Sequence, residues 1–317
     1  GVKIMSNEFE LIEHRQSKGV HAFLIDMNYR RPHLHTDLEL IYVLKGQLIV
    51  QTEGRKITVQ EQECLVINSC QLHELLSKEQ AKLLILQLGT KEFATFFPQI
   101  NEISFHNQAL NLNERSFFKE LLHHLFTTCD SFFQEEDYFA LACHGHASLV
   151  LYYLLQCAPY ELIPEAKQGA HFARQERIRR ISHYIQQHYH ETLFLADIAE
   201  QENLSVNYLS HFFHKNFGLS FQHYLNVIRC EKAYFLLSNT DHGLLYISEA
   251  CGFSDLRYLN RAFKNLYHQT PKEFRNQMNQ RATITTTHSD HEQIDRQHIY
   301  SKAESAAVMT DLLKTKK

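Results

Sequence analysis

The chain lacks any apolar run approaching the roughly 18 residues that a membrane-spanning helix needs. Its first residues also lack the basic-then-apolar layout of a secretory signal. A cytoplasmic protein without a membrane partner is therefore expected. The seven cysteines, at positions 64, 70, 129, 143, 157, 230 and 251, contain no C-x-x-C pair and no zinc-finger spacing. Most fall in apolar patterns, where a reduced Cys behaves as a small hydrophobe. No G-x-S-x-G elbow, Walker loop, dinucleotide fingerprint or H-E-x-x-H occurs, so no catalytic nucleophile can be argued.

Positive charge is also scarce. The net charge is −4, which at first sight disfavours a polyanionic partner, but the imbalance is local. Residues 174–281 carry 13 Lys and Arg against 10 Asp and Glu, whereas residues 1–173 carry 14 against 21. Only the later segment is net basic, and eight histidines there can add charge beside phosphates. With 44% hydrophobic and 21% charged residues over 317 positions, the chain is globular and long enough for two domains.

Residues 20–90 read as β structure: short apolar runs such as HAFLIDM, LELIYVL, RKITV, CLVIN and AKLLILQL are separated by turn signals, the pattern of an antiparallel barrel or sandwich. From about Asn113 the apolar period lengthens to three and four. This predicts two amphipathic helices over about 113–158. The segment APYELIPEAKQG, with two prolines and a closing Gly, reads as a linker. Helical patterning then runs to about Asn279. Residues 282–317 are polar and poorly periodic, and are expected to form a flexible tail with at most a short final helix in AESAAVMTDLL.

The helical segment contains an internal repeat. Ile198-Ala199-Glu200 and Leu204-Ser205 match Ile247-Ser248-Glu249 and Phe253-Ser254 at an offset of 49. Tyr208-Leu209, Phe213 and Phe217 then match Tyr258-Leu259, Phe263 and Tyr267 at an offset of 50. Each copy reads as a helix-turn-helix. A short helix ends at a residue tolerant of left-handed backbone, Asn203 or Gly252. Leu204 or Phe253 then plugs the turn, and Ser205 or Ser254 caps a second helix. Val206, Leu209 and Phe213 are expected inward in the first copy, and Leu256, Leu259, Phe263 and Leu266 in the second. The outward stripes are Asn207, Ser210, His211, His214 and Lys215, and Arg257, Asn260, Arg261, Lys264 and Asn265. Arg and Asn suit base edges, and Lys and His suit phosphates, so these ten are the candidate DNA-binding residues. Phe221–Ser238 reads as one helix between the copies, roughly 27 Å long, which suits two recognition helices about one DNA turn apart.

On these residues the segment 174–279 resembles the AraC/XylS family of bacterial transcription regulators. The likeness is densest in ISEACGFSDLRYLNRAFKNLYHQTPKEFR (247–275), with Tyr258, Arg261-x-Phe263-Lys264, Thr270-Pro271 and Phe274-Arg275 in place. The first copy departs from the family's usual pattern, with His211 where an Arg is common. Arg257, Asn260 and Arg261 are therefore expected to dominate specificity. The resemblance implies binding to promoter DNA and activation near RNA polymerase.

The β region carries His33-x-His35-x3-Glu39-x6-Gly46, followed by Glu61 to Asn68 and His73, which resembles the motifs of the cupin superfamily. Positions 33, 35 and 39 share parity, so on one continuous strand they would face one side. Three readings stay open: satisfied polar residues within a core, a metal-dependent enzyme site, or the lining of a small-molecule pocket. His33, His35, Glu39 and His73 are the effector-pocket candidates and the only metal candidates. No cofactor is required by the regulator reading. His123-His124 and His144-Gly145-His146 lack ligand spacing and are read as surface or packing residues.

The expected architecture is α+β and multidomain. Residues 1–165 form a cupin-like β-barrel with flanking helices, for effector binding and dimerisation. Residues 174–281 form an all-α domain with two helix-turn-helix units, and 282–317 the tail. The helix faces LLHHLF and LVLYYLL are apolar enough to call for a homodimer partner. The expected function is an effector-responsive transcription regulator, with a sugar effector and carbohydrate-utilisation genes as the family-level expectation. The alternative is a metal-dependent cupin enzyme with an accessory DNA domain.

Overall fold

The computed structural model describes residues 19–111, 117–281 and 297–315. The strands are β1 (Val20–His33), β2 (Leu38–Lys45), β3 (Leu48–Thr52), β4 (Arg55–Val59), β5 (Cys64–Ile67), β6 (His73–Leu88), β7 (Ile103–Phe105), β8 (Tyr160–Leu162) and β9 (Gln297–Ile299). The helices are α1 (Thr90–Phe93), α2 (Phe118–Gln134), α3 (Phe139–Cys157), α4 (Glu165–His188), α5 (Leu195–Gln201), α6 (Val206–Phe217), α7 (Phe221–Asn239), α8 (Leu244–Ala250), α9 (Leu256–Tyr267), α10 (Pro271–Arg281) and α11 (Lys302–Thr315). The described residues divide into two units, 19–176 with 297–315, and 177–281. Helix α4 supplies residues to both.

In the first unit the 16-residue β6 is the spine. It pairs antiparallel with β1 along one edge, and with β2 and then β3 along the other. Both faces of this sheet are buried, which is why β2 reads as an almost unbroken apolar run. Leu40, Tyr42, Leu84 and Leu86 meet α2 and α3 on one face, while Ile41, Val43, Leu83 and Ile85 fill the interior on the other. Glu39 falls on the interior parity and is the single charged residue of Leu38–Leu44.

Two expectations change here. The segment read as a linker forms β8, paired with β7, and the start of α4. The two prolines stand at the strand's entry and just before the helix, where a missing N–H costs nothing. The tail read as flexible is ordered over 297–315. Ile299 pairs with Ile25 on the open edge of β1, Met309 and Ala306 are buried against the α2 side of the core, and a Ser301–Glu304 capping box starts α11. Tyr300 donates to Asp26 Oδ2 at 2.6 Å and accepts from Lys82 at 2.7 Å. Residues 282–296, 316 and 317 of that tail lie outside the described residues.

The second unit is all helical. Phe213, Phe217, Phe221 and Tyr224 cluster where α6 meets α7, with ring centroids 4.6–6.0 Å apart. Ile247, Phe253, Leu259, Phe263 and Phe274 form the matching core at the other end of α7. Helix α7 thus serves both halves, one amphipathic rod covered at each end.

Candidate nucleic-acid interface and buried histidine cluster

The repeat folds as two helix-turn-helix units, α5–α6 and α8–α9. Asn203 and Gly252 take left-handed φ values of 54° and 78°, as the repeat requires. At Gly252 space as well as φ demands glycine: an added Cβ would lie 2.6 Å from the Tyr189 carbonyl oxygen and 2.7 Å from His190 Cα. Arg229 on α7 holds that same backbone, donating to the carbonyls of Tyr189 and Glu191 at 2.7 Å each. No sequence motif singled Arg229 out. Its signal is a lone Arg on the buried face of an amphipathic helix.

The caps differ between units. Ser205 accepts from the Tyr208 N–H at 3.2 Å, as expected. In the second unit the cap is Asp255 and not Ser254, with Oδ1 accepting from Arg257 and Tyr258 N–H at 2.7 and 3.0 Å. The extra residue in the second copy moves the cap one position on. These bonds hold the Asp255 carboxyl below its ordinary range, and the Arg257 guanidinium adds to this. Val206, expected inward, is 46% exposed because it occupies the first turn beyond the turn plug. Leu204 is only half-buried, whereas Phe253 is buried.

The candidate DNA-binding residues lie together on the outer faces of α6 and α9. Asn207, His211, His214 and Lys215 are exposed and Ser210 is half-buried; Arg257, Arg261, Lys264 and Asn265 are exposed and Asn260 is half-buried. The Arg257 side chain is 91% exposed and the Arg261 guanidinium lies 4.9 Å from the Tyr258 ring centroid. Both are long donors already oriented on one helix face. The first unit's turn is tied back by α4, where Arg180 and Arg177 both bond Glu202. The Arg180 bonds hold the Glu202 carboxyl below its usual range against the opposing effect of burial.

In the strand-rich unit the four motif residues do meet, although not on one continuous strand. His33 ends β1, His35 lies in the turn, Glu39 is on β2 and His73 opens β6. Register supplies the meeting: His33 pairs with His73 across β1 and β6. His35 Nε2 lies 3.2 Å from Glu39 Oε2 and His73 Nε2 3.5 Å from Oε1. Each imidazole Nδ1 faces a backbone carbonyl at 2.9 Å (Arg31, Asp37 and Gln71), which sets Nδ1 as the protonated nitrogen and turns Nε2 toward the carboxylate. Gln87 donates to Glu39 Oε2 at 2.9 Å.

His35, Glu39 and His73 are buried, and His33 stands half-buried at the edge of the cluster. Burial, then Arg30 and His73, push the His33 pKa well down. Burial alone would raise Glu39, but His35 and His73 outweigh it and hold the carboxyl well below its ordinary value. Ligand atoms of His35, Glu39 and His73 all lie within 4.8 Å of one another. The ring centroids of His33, His35 and His73 are 4.2–6.3 Å apart, so the three imidazoles pack against one another. Away from this cluster His124 and His146, read as packing residues, face each other across α2 and α3 with Nδ1 atoms 2.9 Å apart.

Comparison with known proteins agrees with this division. A helix-turn-helix domain model matches residues 198–277 and a cupin domain model matches residues 28–87. The HTH-type transcriptional regulator SAR0107 of Staphylococcus aureus is 25% identical over 274 residues, which is 86% of this chain and 35% of that protein. The chain thus spans about a third of the length of such relatives. The C-terminal domain of the response regulator yesN from Fusobacterium nucleatum is 39% identical over 98% of its own chain and 32% of this one, with a TM-score of 0.31. ToxT of Vibrio cholerae, at 16% identity, shares the fold over 82% of this chain and 98% of its own, with a TM-score of 0.51. Within residues 198–277 lie both turns, both outward stripes and α7, and within 28–87 lie all four clustered residues. The chain thus carries a helix-turn-helix domain over residues 198–277 and a cupin domain over residues 28–87.

Proposed function

We propose that the protein is an effector-responsive, sequence-specific DNA-binding regulator of transcription in which α6 and α9 enter successive major grooves. The observation that carries this reading is the pair of capped recognition helices with exposed polar stripes, packed on opposite ends of a single rod, α7. The test is selection of bound sequences from a random DNA pool with the salt dependence recorded. A motif with two blocks about one turn apart is expected, and affinity falling steeply with salt. Failure of well-folded protein to enrich any motif at low salt would overturn the reading. Contact with RNA polymerase at the promoter belongs to this proposal.

A homodimer also belongs to it. The LLHHLF face expected to seek a partner is used internally, with Leu121, Leu122, Leu125 and Phe126 all buried. Helix α3 remains: it contains no charged residue, and Leu141, Gly145, Leu149 and Tyr152 lie exposed at helical spacing along it. Light scattering of the full chain is expected to give twice the chain mass; a strict monomer with and without DNA would count against it.

The histidine cluster supports a different role from that of an organic effector pocket. His33 Nε2 is buried without a hydrogen-bond partner, and His35 and His73 turn their Nε2 atoms to the Glu39 carboxylate, a donor set that a divalent transition metal would suit. His33, His35, Glu39 and His73 would hold such an ion, and the burial of three of them suits a structural or sensory ion. Metal analysis of the purified protein is expected to find a stoichiometric ion that His33→Ala with His73→Ala removes. Turnover of a substrate lost with the same pair would return the enzyme reading.

A further inference from the structure

Among the described residues, Glu39 of the histidine cluster and Arg229 are the only Asp, Glu, Lys or Arg side chains that are buried. Glu39 is answered by two imidazoles and an amide. Arg229, on α7, has no carboxylate partner among the described residues; its guanidinium is met by the backbone carbonyls of Tyr189 and Glu191. Burying an ionised group is costly, and carbonyl dipoles offset only part of the loss. An apolar side chain would fill the same place on α7 without that loss, so stability alone does not account for an Arg here.

What Arg229 touches gives the reason. Its two acceptors lie in the stretch 189–194 that leads from α4 into α5, the first helix of the first helix-turn-helix unit. Its guanidinium carbon also lies 5.9 Å from the ring centroid of Phe253, which plugs the turn of the second unit. The same stretch meets that turn directly: Gly252 lies so close to the Tyr189 carbonyl and the His190 backbone that no side chain fits between them. One turn further along α7, the Lys232 ammonium stands 5.8 Å from the Tyr189 ring centroid. Arg229 therefore pins the approach to the first unit onto the turn of the second. Helix α7 joins the two units once, and the pinned stretch joins them a second time.

Two attachments fix what one leaves free. Joined through α7 alone, α6 and α9 would shift relative to each other whenever that helix bends. On B-DNA one base pair is about 3.4 Å of rise and about a tenth of a turn, so the relative placement of α6 and α9 decides how many base pairs can separate two contacted blocks. We infer that Arg229 is a positioning residue: by clasping residues 189–191 to the second turn it fixes α6 relative to α9, and with it the spacing of the two DNA blocks. This rests on the reading of α6 and α9 as a pair of DNA readers and adds to it, since base contacts choose the blocks and the clasp chooses the distance between them. Arg suits the task because its planar fork holds two acceptors at once in a fixed geometry.

The test has two arms, both on the full chain. The first uses no DNA. Nitroxide labels are placed through His214→Cys on α6 and Lys264→Cys on α9, two exposed positions, the native cysteines all being buried. Pulsed dipolar spectroscopy is expected to give one narrow distance distribution with Arg229 in place and a clearly broader one in Arg229→Leu. In the second arm one base pair is inserted or deleted between the blocks of the selected motif. The chain with Arg229 is expected to lose at least about tenfold in affinity for either change, and folded Arg229→Leu no more than about threefold relative to its own best spacing. General destabilisation would lower affinity at every spacing alike and leave the preference in place. Arg229→Gln, shorter and with a single donor nitrogen, serves in both arms if Arg229→Leu does not fold. If the chain binds no DNA, the reading of α6 and α9 fails, and the first arm alone decides whether the clasp holds them. A distribution as narrow as the native one, or an unchanged spacing preference, in a folded variant would overturn the inference.

Discussion

The two helix-turn-helix units share a pattern and achieve it by different means. In the second, the turn is fixed by shape: Gly252 lies against the backbone of Tyr189 and His190, Phe253 is buried beneath it, and Asp255 caps the recognition helix with two bonds. In the first, the turn is fixed by charge and is looser. Asn203 takes the left-handed position in the open, Leu204 is half-buried, Ser205 makes one capping bond, and Glu202 is held by two arginines on α4. A sterically committed turn has one arrangement. A turn held by ion pairs at a partly exposed site has neighbours close in energy, since such pairs contribute little each. The second unit's turn is thus sterically fixed and the first's adjustable.

The largest expected effect breaks the second turn. Gly252→Ala puts a Cβ into the Tyr189 carbonyl and forces a left-handed residue with a side chain, which together should cost about 3 kcal/mol or more in denaturant unfolding of the helical unit. Asn203→Ala, at an exposed left-handed position with no neighbour to strike, should cost no more than about 1–2 kcal/mol. Equal losses would erase the distinction. A middle-sized effect sharpens the comparison at the level of reading. Arg257→Ala and Arg261→Ala should each weaken binding of the selected DNA motif by about 1–3 kcal/mol and relax preference in one block, whereas His211→Ala should lower affinity less and leave both blocks recognisable. Competition binding with single-base variants measures this, and unchanged preference in the Arg variants would remove α9 as the dominant reader.

The smallest effect concerns pH. Glu202 has a lowered carboxyl pKa in the folded chain, so its ion pairs stabilise above the ordinary carboxylate value of about 4.3. That contribution is lost as pH falls through the lowered folded value. At a partly exposed pair it should stay below about 1 kcal/mol. Unfolding curves between neutral and acid pH are expected to show it in the native chain and not in Glu202→Gln, and a variant with an unaltered profile would show that the arginines do not hold the turn.

How far the sequence spoke depended on how local each signal was. The repeat, both left-handed turn positions and the outward stripes were legible because each rests on spacing within one segment; His33, His35, Glu39 and His73 were legible as a motif, but their meeting rests on the β1–β6 register and not on the parity of one strand. The cap of the second unit was missed by one residue because Ser254 and Asp255 are both competent, and only backbone geometry chooses between them. The small gap lined by Leu38, Asn68, Thr90, Phe105 and Gln175 left no pattern, since its walls come from five separate stretches of chain. The ordering of 297–315 was hidden for the same reason: the Ser301-x-x-Glu304 box was readable, but what anchors it is the unpaired edge of β1, nearly the whole chain away.

That last anchor has a consequence for how the protein is made. A ribosome releases β1 and β6 first, then every helix of the DNA-binding unit, and only afterwards the strand and helix that finish the cupin unit. A message cut short after Arg281 would yield complete recognition helices attached to a sheet whose β1 edge stands open at Ile25–Met27 and whose core lacks Met309. Bare strand edges and emptied cores invite aggregation and proteolysis. The position of β9 and α11 therefore makes closure of the strand-rich unit wait on the helical one, because a chain stopped at Arg281 would carry both helix-turn-helix units on an unfinished sheet.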